Sequence, residues 1–163
     1  MNVDRLKELG RGTYTLIFTL NTDVEVIVGS LGRVAFRRGI YSYTGSALGP
    51  SKMSLYSRVK RHVSKIKRLR WHIDYLLTRH EFEVVAVIAA SSDRRFECEV
   101  SRILSNVEGV MTYRRFGSSD CCCLGHLHYY ADMELAEVLR LVSLAYKGLG
   151  LPFKVLWLSK LFS

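Results

Sequence analysis

Residues 37–47 read RRGIYSYTGSA, in which the triplets Gly39-Ile40-Tyr41 and Tyr43-Thr44-Gly45 are separated only by Ser42. Side chains alternate faces along a strand, so Tyr41 and Tyr43 project to the same side of one strand rather than across two. A site built on two neighbouring strands needs its other tyrosine from elsewhere. Gly12-Thr13-Tyr14 supplies one, at the opening of the apolar run Tyr14 to Leu20 (YTLIFTL).

Outward from that stretch, Asp23 to Ser30 reads as the strand that pairs with Tyr14 to Leu20 through the turn at Asn21-Thr22. Arg33 to Arg37 and Gly39 to Thr44 read as a further pair, or as one strand bent at Gly39. A loop leads to a helix of about Lys52 to Ile66, with Leu55, Val59, Val63 and Ile66 as its buried stripe. A shorter helix follows over Trp71 to Thr78. Phe82 to Ala90 (FEVVAVIAA) is β-branched and apolar enough to be a central strand. Ser92-Asp93 is the expected cap of a helix through Arg94 to Ser105, and another amphipathic helix runs from near Asp132 to Gly148. The apolar tail from Leu151 to Phe162 must dock somewhere. Strands first, then helices with one returning strand, predict an α+β fold: a small, mostly antiparallel sheet flanked by helices. A chain of 163 residues with 48% hydrophobic content is expected to form one domain, 1–163, with its core over about 10–130 and a C-terminal helix and docked tail over 131–163.

Net charge is +9, and no acidic residue stands between Glu25 and Asp74. That interval holds Arg33, Arg37, Arg38, Lys52, Arg58, Lys60, Arg61, Lys65, Lys67, Arg68 and Arg70. A positive field concentrated in one third of a chain is the electrostatic footprint of a polyanion partner, although a solvated basic surface gives the same pattern. No run reaches the length of a membrane span, and the polar first residues give a signal peptide no apolar core, so a cytoplasmic protein without membrane contact is expected.

Within the basic helix Arg58 and His62 are four apart and therefore share a face, expected beside the buried stripe rather than in it. On the helix after the strand at 82–90, Glu97 shares its face with Val100, Ser101 and Leu104, whereas Glu99 points roughly 200° away, so Glu97 is the inward carboxylate.

A strand tyrosine, a Tyr-Thr-Gly, a helix carrying Arg and His one turn apart, and a later helical glutamate resemble the GIY-YIG nucleases. Pairing Tyr14 with Tyr43-Thr44-Gly45, as that resemblance implies, leaves the literal Gly39-Ile40-Tyr41 as a decoy and makes the interval from Thr15 to Ser42 an enlarged hairpin. The strings WHIDYLL (71–77), FEC (96–98) and FGSSDCCCLGHLHY (116–129) resemble a mostly archaeal family catalogued as domain of unknown function number 123, itself considered GIY-YIG-like and sometimes fused to a DNA-repair glycosylase-type domain. The resemblance implies a GIY-YIG-like core and a metal-dependent endonuclease that hydrolyses phosphodiester bonds in DNA, with branched or damaged DNA as candidate substrates; a non-catalytic module binding DNA or RNA is the alternative. It implies Tyr14 activating the attacking water, Tyr43 positioning it, Arg58 clamping the phosphate, His62 assisting, and Glu97 holding Mg²⁺ or Mn²⁺. Gly45, Ser46, Lys52, Lys60, Arg61, Lys65, Lys67, Arg68 and Arg70 are the expected nucleic-acid contacts, with DNA favoured over RNA.

Two further groups have competing readings. His72 and Asp74 lie either in a core-filling helix or near the phosphate path. Cys121, Cys123, His126 and His128 are ligand types for Zn²⁺, but their spacings match no common knuckle or finger and fit buried free thiols better.

Overall fold

The computed structural model describes residues 3–118, 121 and 123–158. In chain order its strands are β1 (Gly12–Leu20), β2 (Val24–Ile27), β3 (Arg33–Phe36), β4 (Gly39–Ala47), β5 (Phe82–Ser91), β6 (Val110–Tyr113), β7 (Leu127–Tyr130) and β8 (Phe153–Trp157). The helices are α1 (Leu55–Val63), α2 (Asp74–Leu77), α3 (Glu97–Ser105) and α4 (Leu135–Gly148). Six strands form one sheet in the order β6-β7-β4-β1-β5-β8, with every neighbouring pair antiparallel. The fold is α+β.

β1 is central because it is apolar on both faces. Tyr14, Leu16, Phe18 and Leu20 pack in one core with Leu55 and Val59 of α1 and with Leu76 and Leu77 of α2. Ile17 points the other way, into a second core with Val100 and Leu104 of α3 and Val138, Val142 and Tyr146 of α4. That second face carries a polar seam: Thr15 Oγ1 lies 2.9 Å from both Thr44 Oγ1 and Tyr146 Oη, so these hydroxyls satisfy one another where no water reaches.

The partner of β1 differs from expectation. The segment from Asp23 to Ser30 does not pair with it; β2 pairs with β3 in a separate two-stranded ribbon. β1 pairs instead with β4, in the register Tyr14↔Gly45, Leu16↔Tyr43 and Leu20↔Gly39. The reason is burial: β4 is buried from Tyr41 to Gly45, while β2 buries only Val26 fully and suits a one-sided ribbon. The enlarged hairpin is therefore β1 and β4, with the β2–β3 ribbon set between them.

The helices are shorter than their periodicity suggests. α1 stops at Val63, and Ile66 is 92% exposed rather than buried, because Lys67 Nζ donates to the carbonyls of Arg61 and His62 and closes the helix end. Ser92-Asp93 does not cap α3, which starts at Glu97; Ser92 Oγ donates to Arg94 O, and Asp93 pairs with Arg11. α4 likewise starts at Leu135, since Asp132 sits at φ 56 outside helical space. The tail docks as β8 on the edge of β5, Val155 opposite Ile88; its continuation to Phe162 lies outside the described residues.

A Cβ on Gly12 would overlap the carbonyl oxygen of Ala90 on β5, backbone that cannot yield. Gly12→Ala is expected to cost about 2–3 kcal/mol in urea unfolding. Gly148→Ala, in open space on α4, should raise stability by about 0.5 kcal/mol in the same assay.

Candidate functional site

A cleft of about 550 Å³ opens where the Gly12 end of β1, the Ala47 end of β4 and the start of α3 meet. Tyr14, Tyr43, Gly45, Ser46, Arg58, Arg70, Trp71, His72, Arg95, Glu97, Gly117 and His126 are among its lining residues. Tyr14, Tyr43, Arg58 and Glu97 thus share one cavity. Tyr41 does not reach it: it is fully buried, its ring 5.6 Å from Phe18 and 4.9 Å from Tyr129, and its hydroxyl donates to Arg37 O.

The antiparallel register puts Gly45 directly opposite Tyr14, and a Cβ there would lie 2.5 Å from the Tyr14 hydroxyl. Glycine is what lets the phenol lie across β4 towards the cleft. Behind it, Tyr14 Oη sits 2.8 Å from His62 Nε2. His62 therefore belongs to the buried face of α1, not beside the stripe, because a hydrogen-bonding partner from β1 meets it there. Its Nδ1 has no partner among the described residues. A proton on Nε2 leaves only a lone pair unmatched at Nδ1, makes Tyr14 Oη the acceptor, and frees the phenol hydrogen for the cleft. Burial lowers the His62 pKa to about 3, so the ring is neutral at physiological pH. Burial also pushes the Tyr14 phenol well above its ordinary 10.0, outweighing the opposite pull of Arg58, and raises Tyr43 likewise. Both are protonated phenols at neutral pH.

Arg58 and Arg61 stack on the same indole, their guanidinium carbons 4.6 Å and 4.4 Å from the Trp71 ring centroid. Their second partners separate them. Arg61 forks onto both carboxylate oxygens of Asp74 at 2.9 Å each, and the N–H groups of Arg70 and Trp71 donate to the same carboxylate. Asp74 is fully buried, so the functional reading that put it near the phosphate path gives way to a structural one: it binds the segment 70–71 to α1. Burial would raise its pKa, but these donors outweigh that and hold it below 3.8. His72 does line the cleft; its Nδ1 accepts from Gly117 N–H at 3.0 Å, which makes Nε2 the protonated nitrogen of the neutral ring.

Glu97, at the first position of α3, is 8% exposed and shares the inward face with Val100, Ser101 and Leu104. Ser46 Oγ donates to it, and Arg95 lies 3.8 Å away. Glu99 faces out to Arg94. Glu97 is the single carboxylate among the cleft-lining residues, against Arg58, Arg70 and Arg95. The charged side chains of the lining are therefore positive on balance.

The expected polyanion contacts divide. Lys65 Nζ donates to Arg79 O and Phe82 O, Lys67 closes α1, and Arg61 holds Asp74, so these three cations tie backbone and carboxylate within the fold. Gly45, Ser46 and Arg70 line the cleft; Lys52, Lys60 and Arg68 are exposed. Arg95 escaped the sequence reading, although it stands two residues before Glu97 in RRFECE.

Cys98, Cys121, Cys123 and His126 bring their ligand atoms within 4.8 Å of one another, a cluster that can hold a metal ion. His128 is not part of it; its Nε2 meets Ser105 Oγ at 3.2 Å on the α3 side of β7. Cys98, from α3, takes that place. The three cysteines are half-buried, not fully buried thiols.

The His62 shift makes stability pH-dependent. The unfolded ring takes its proton near 6.5 and the folded ring only near 3, so the contribution is complete above 6.5 and is lost as pH falls through that window. His62→Gln keeps a partner for Tyr14 without a titrating ring. Urea unfolding between pH 6.5 and 3.8 should lose about 1 kcal/mol per pH unit of slope in this variant, leaving the share of His128, whose pKa burial lowers to about 4.

No curated protein and no solved structure matches this chain. A family model does, over residues 13–148, a span that contains the cleft tyrosines, Arg58, Glu97 and the cysteine cluster. The chain belongs to the family described as Domain of unknown function DUF123.

Proposed function

We propose that the protein is a GIY-YIG-type endonuclease that hydrolyses phosphodiester bonds in DNA with the help of Mg²⁺ or Mn²⁺. The observation that carries this reading is the convergence of Tyr14, Tyr43, Arg58 and Glu97 on one cleft of about 550 Å³ whose other charged side chains are cationic. A phosphodiester is an anion that gains charge on its equatorial oxygens as it is cleaved, and preorganised cations in a partly dry cavity favour that change. DNA is preferred over RNA as the partner, and a cytoplasmic location suits three unpaired thiols; among the described residues no helix is long and apolar enough to cross a membrane.

Glu97 fits the metal assignment as donor chemistry. Mg²⁺ commonly takes one or two protein carboxylates and completes its shell with water and substrate phosphate, and Glu97 is the carboxylate the cleft offers. Bound there, the ion supplies Lewis-acid stabilisation of the phosphoryl and leaving oxygens. The protein's own groups do the rest. Arg58, already flattened on Trp71, presents its fork to the phosphate with little freedom left to lose. His72 Nε2–H donates to a substrate oxygen. Tyr14 and Tyr43 hold the attacking water by hydrogen bonds; as protonated phenols they orient it rather than take its proton in the free protein.

That same protonation favours a second reading, a non-catalytic module that binds DNA or RNA through the cleft without turnover. One experiment separates the two. Linear, nicked, flapped and branched DNA and structured RNA are incubated with the protein, with and without Mg²⁺ or Mn²⁺. Divalent-dependent cleavage of DNA is expected, falling about 10²–10³-fold in Arg58→Ala and in Glu97→Gln. Salt-sensitive binding with no product across all substrates supports the second reading, and full activity in Glu97→Gln removes the metal assignment.

A further inference from the structure

Behind the cleft, three sulfurs and one imidazole nitrogen converge. His126 Nε2 lies 2.8 Å from Cys123 Sγ, 3.5 Å from Cys121 Sγ and 3.7 Å from Cys98 Sγ. Cys98 and Cys121 approach Cys123 to 2.9 Å and 3.1 Å. A single ring nitrogen cannot hydrogen-bond three thiols at once, and a thiol is a weak donor. A lone pair aimed into a triangle of sulfurs is instead the geometry of coordination. A tetrahedral Zn²⁺ with bonds of about 2.3 Å to sulfur and 2.0 Å to nitrogen separates its ligands by about 3.5–3.8 Å. The closest contacts, 2.8–3.7 Å, lie at or just inside that spacing, and all four ligand atoms fall within 4.8 Å of one another, so a small opening of the cluster admits the ion.

We propose that Cys98, Cys121, Cys123 and His126 form a closed structural zinc site that latches the loop preceding β7 to the first turn of α3. The ligand set is soft and nitrogen-containing, which selects zinc over the hard ion assigned to Glu97. All four positions come from the protein, the mark of a structural rather than a catalytic centre. Binding replaces the three thiol protons by the dication, so they are released to solvent and no oxidant is involved. The loop is already folded back for the purpose: Arg115 N–H donates to Leu124 O, and His126 N–H to Phe116 O. The latch has a location that matters. Cys98 follows Glu97 on α3, and the loop carries Gly117 and His126 into the cleft lining, so the ion holds together the two walls between which substrate lies.

Metal content tests this without any substrate, so it fails independently of the nuclease reading. Protein purified without an affinity tag or chelator should contain about one equivalent of zinc by elemental analysis. Stripped protein titrated with Co²⁺ should show the intense visible bands of a tetrahedral site and thiolate-to-cobalt charge transfer, saturating at one equivalent. Cys98→Ser should weaken zinc binding at least about 100-fold, beyond the effect of losing an outer-shell partner; His128→Gln should keep full occupancy. If Cys98→Ser does not fold, the Co²⁺ titration of the unsubstituted chain decides alone. Protein with no zinc and no tetrahedral cobalt spectrum, another metal in its place, a Cys98–Cys123 disulfide in freshly prepared protein, or full zinc retention in Cys98→Ser overturns the proposal.

Discussion

The crossing of Tyr14 over Gly45 is the constraint on which the cleft depends. Two central strands run antiparallel with these residues opposite each other, and the phenol takes the room a side chain on Gly45 would need. From that single close approach the rest is positioned in order. The hydroxyl reaches His62, which commits the α1 face that carries it to the sheet; one turn earlier on the same helix, Arg58 is brought to the cleft edge. Trp71 then receives two guanidinium groups, and Asp74 holds one of them, so that the other stays at the cleft edge. The division of labour between Arg58 and Arg61 is set by a buried carboxylate, not by anything intrinsic to either arginine.

Burial is the second organising influence, and it works against simple acid–base chemistry. Tyr14, Tyr43 and His62 are all held in their uncharged forms by the apolar core that fixes them. Rigid placement and easy ionisation are opposing demands on a phenol. A site assembled this way orients and hydrogen-bonds well before ligand enters. Any ionisation of Tyr14 requires added positive charge beside it, beyond that of Arg58.

Parts of this arrangement were readable along the chain. The strand pattern of β1 and β5 and the same-face grouping of Glu97 with Val100, Ser101 and Leu104 follow from periodicity, a local property, whereas the choice of Tyr14 over Tyr41 rested on resemblance to a known motif. The misreadings share a physical origin in partner choice. Whether Val24–Ile27 joins β1 or a side ribbon depends on how much burial β4 offers from well beyond the turn, which no local alternation records. His62 looked peripheral because the group that satisfies it comes from β1. The basic run looked uniform, yet Arg61, Lys65 and Lys67 are consumed by Asp74 and by backbone carbonyls, partners that only the folded chain brings to them. Cys98 stands apart from Cys121, Cys123 and His126 in sequence, so spacing rules written for contiguous motifs missed it.

Glu97 and Cys98 bring these threads to one point on the molecule. Consecutive residues on a helix point about 100° apart, so the first turn of α3 can serve two neighbouring environments with adjacent side chains. Glu97 faces an open cavity bordered by Arg58, Arg70 and Arg95, where an oxygen donor with exchangeable water positions suits an ion that must meet substrate. Cys98 faces a nest of sulfur and imidazole, where the proposed zinc would take all four of its ligands from the chain. Hard and soft donors would thus sort the two proposed cations without competition, although their ligands are joined by a single peptide bond. The arrangement also couples them mechanically. The proposed latch would fix the pitch and depth of α3's first turn, and that pitch determines whether the neighbouring carboxylate reaches the cleft; disturbing the sulfur cluster should therefore move Glu97 before it unravels the central pairings of β1 with β4 and β5.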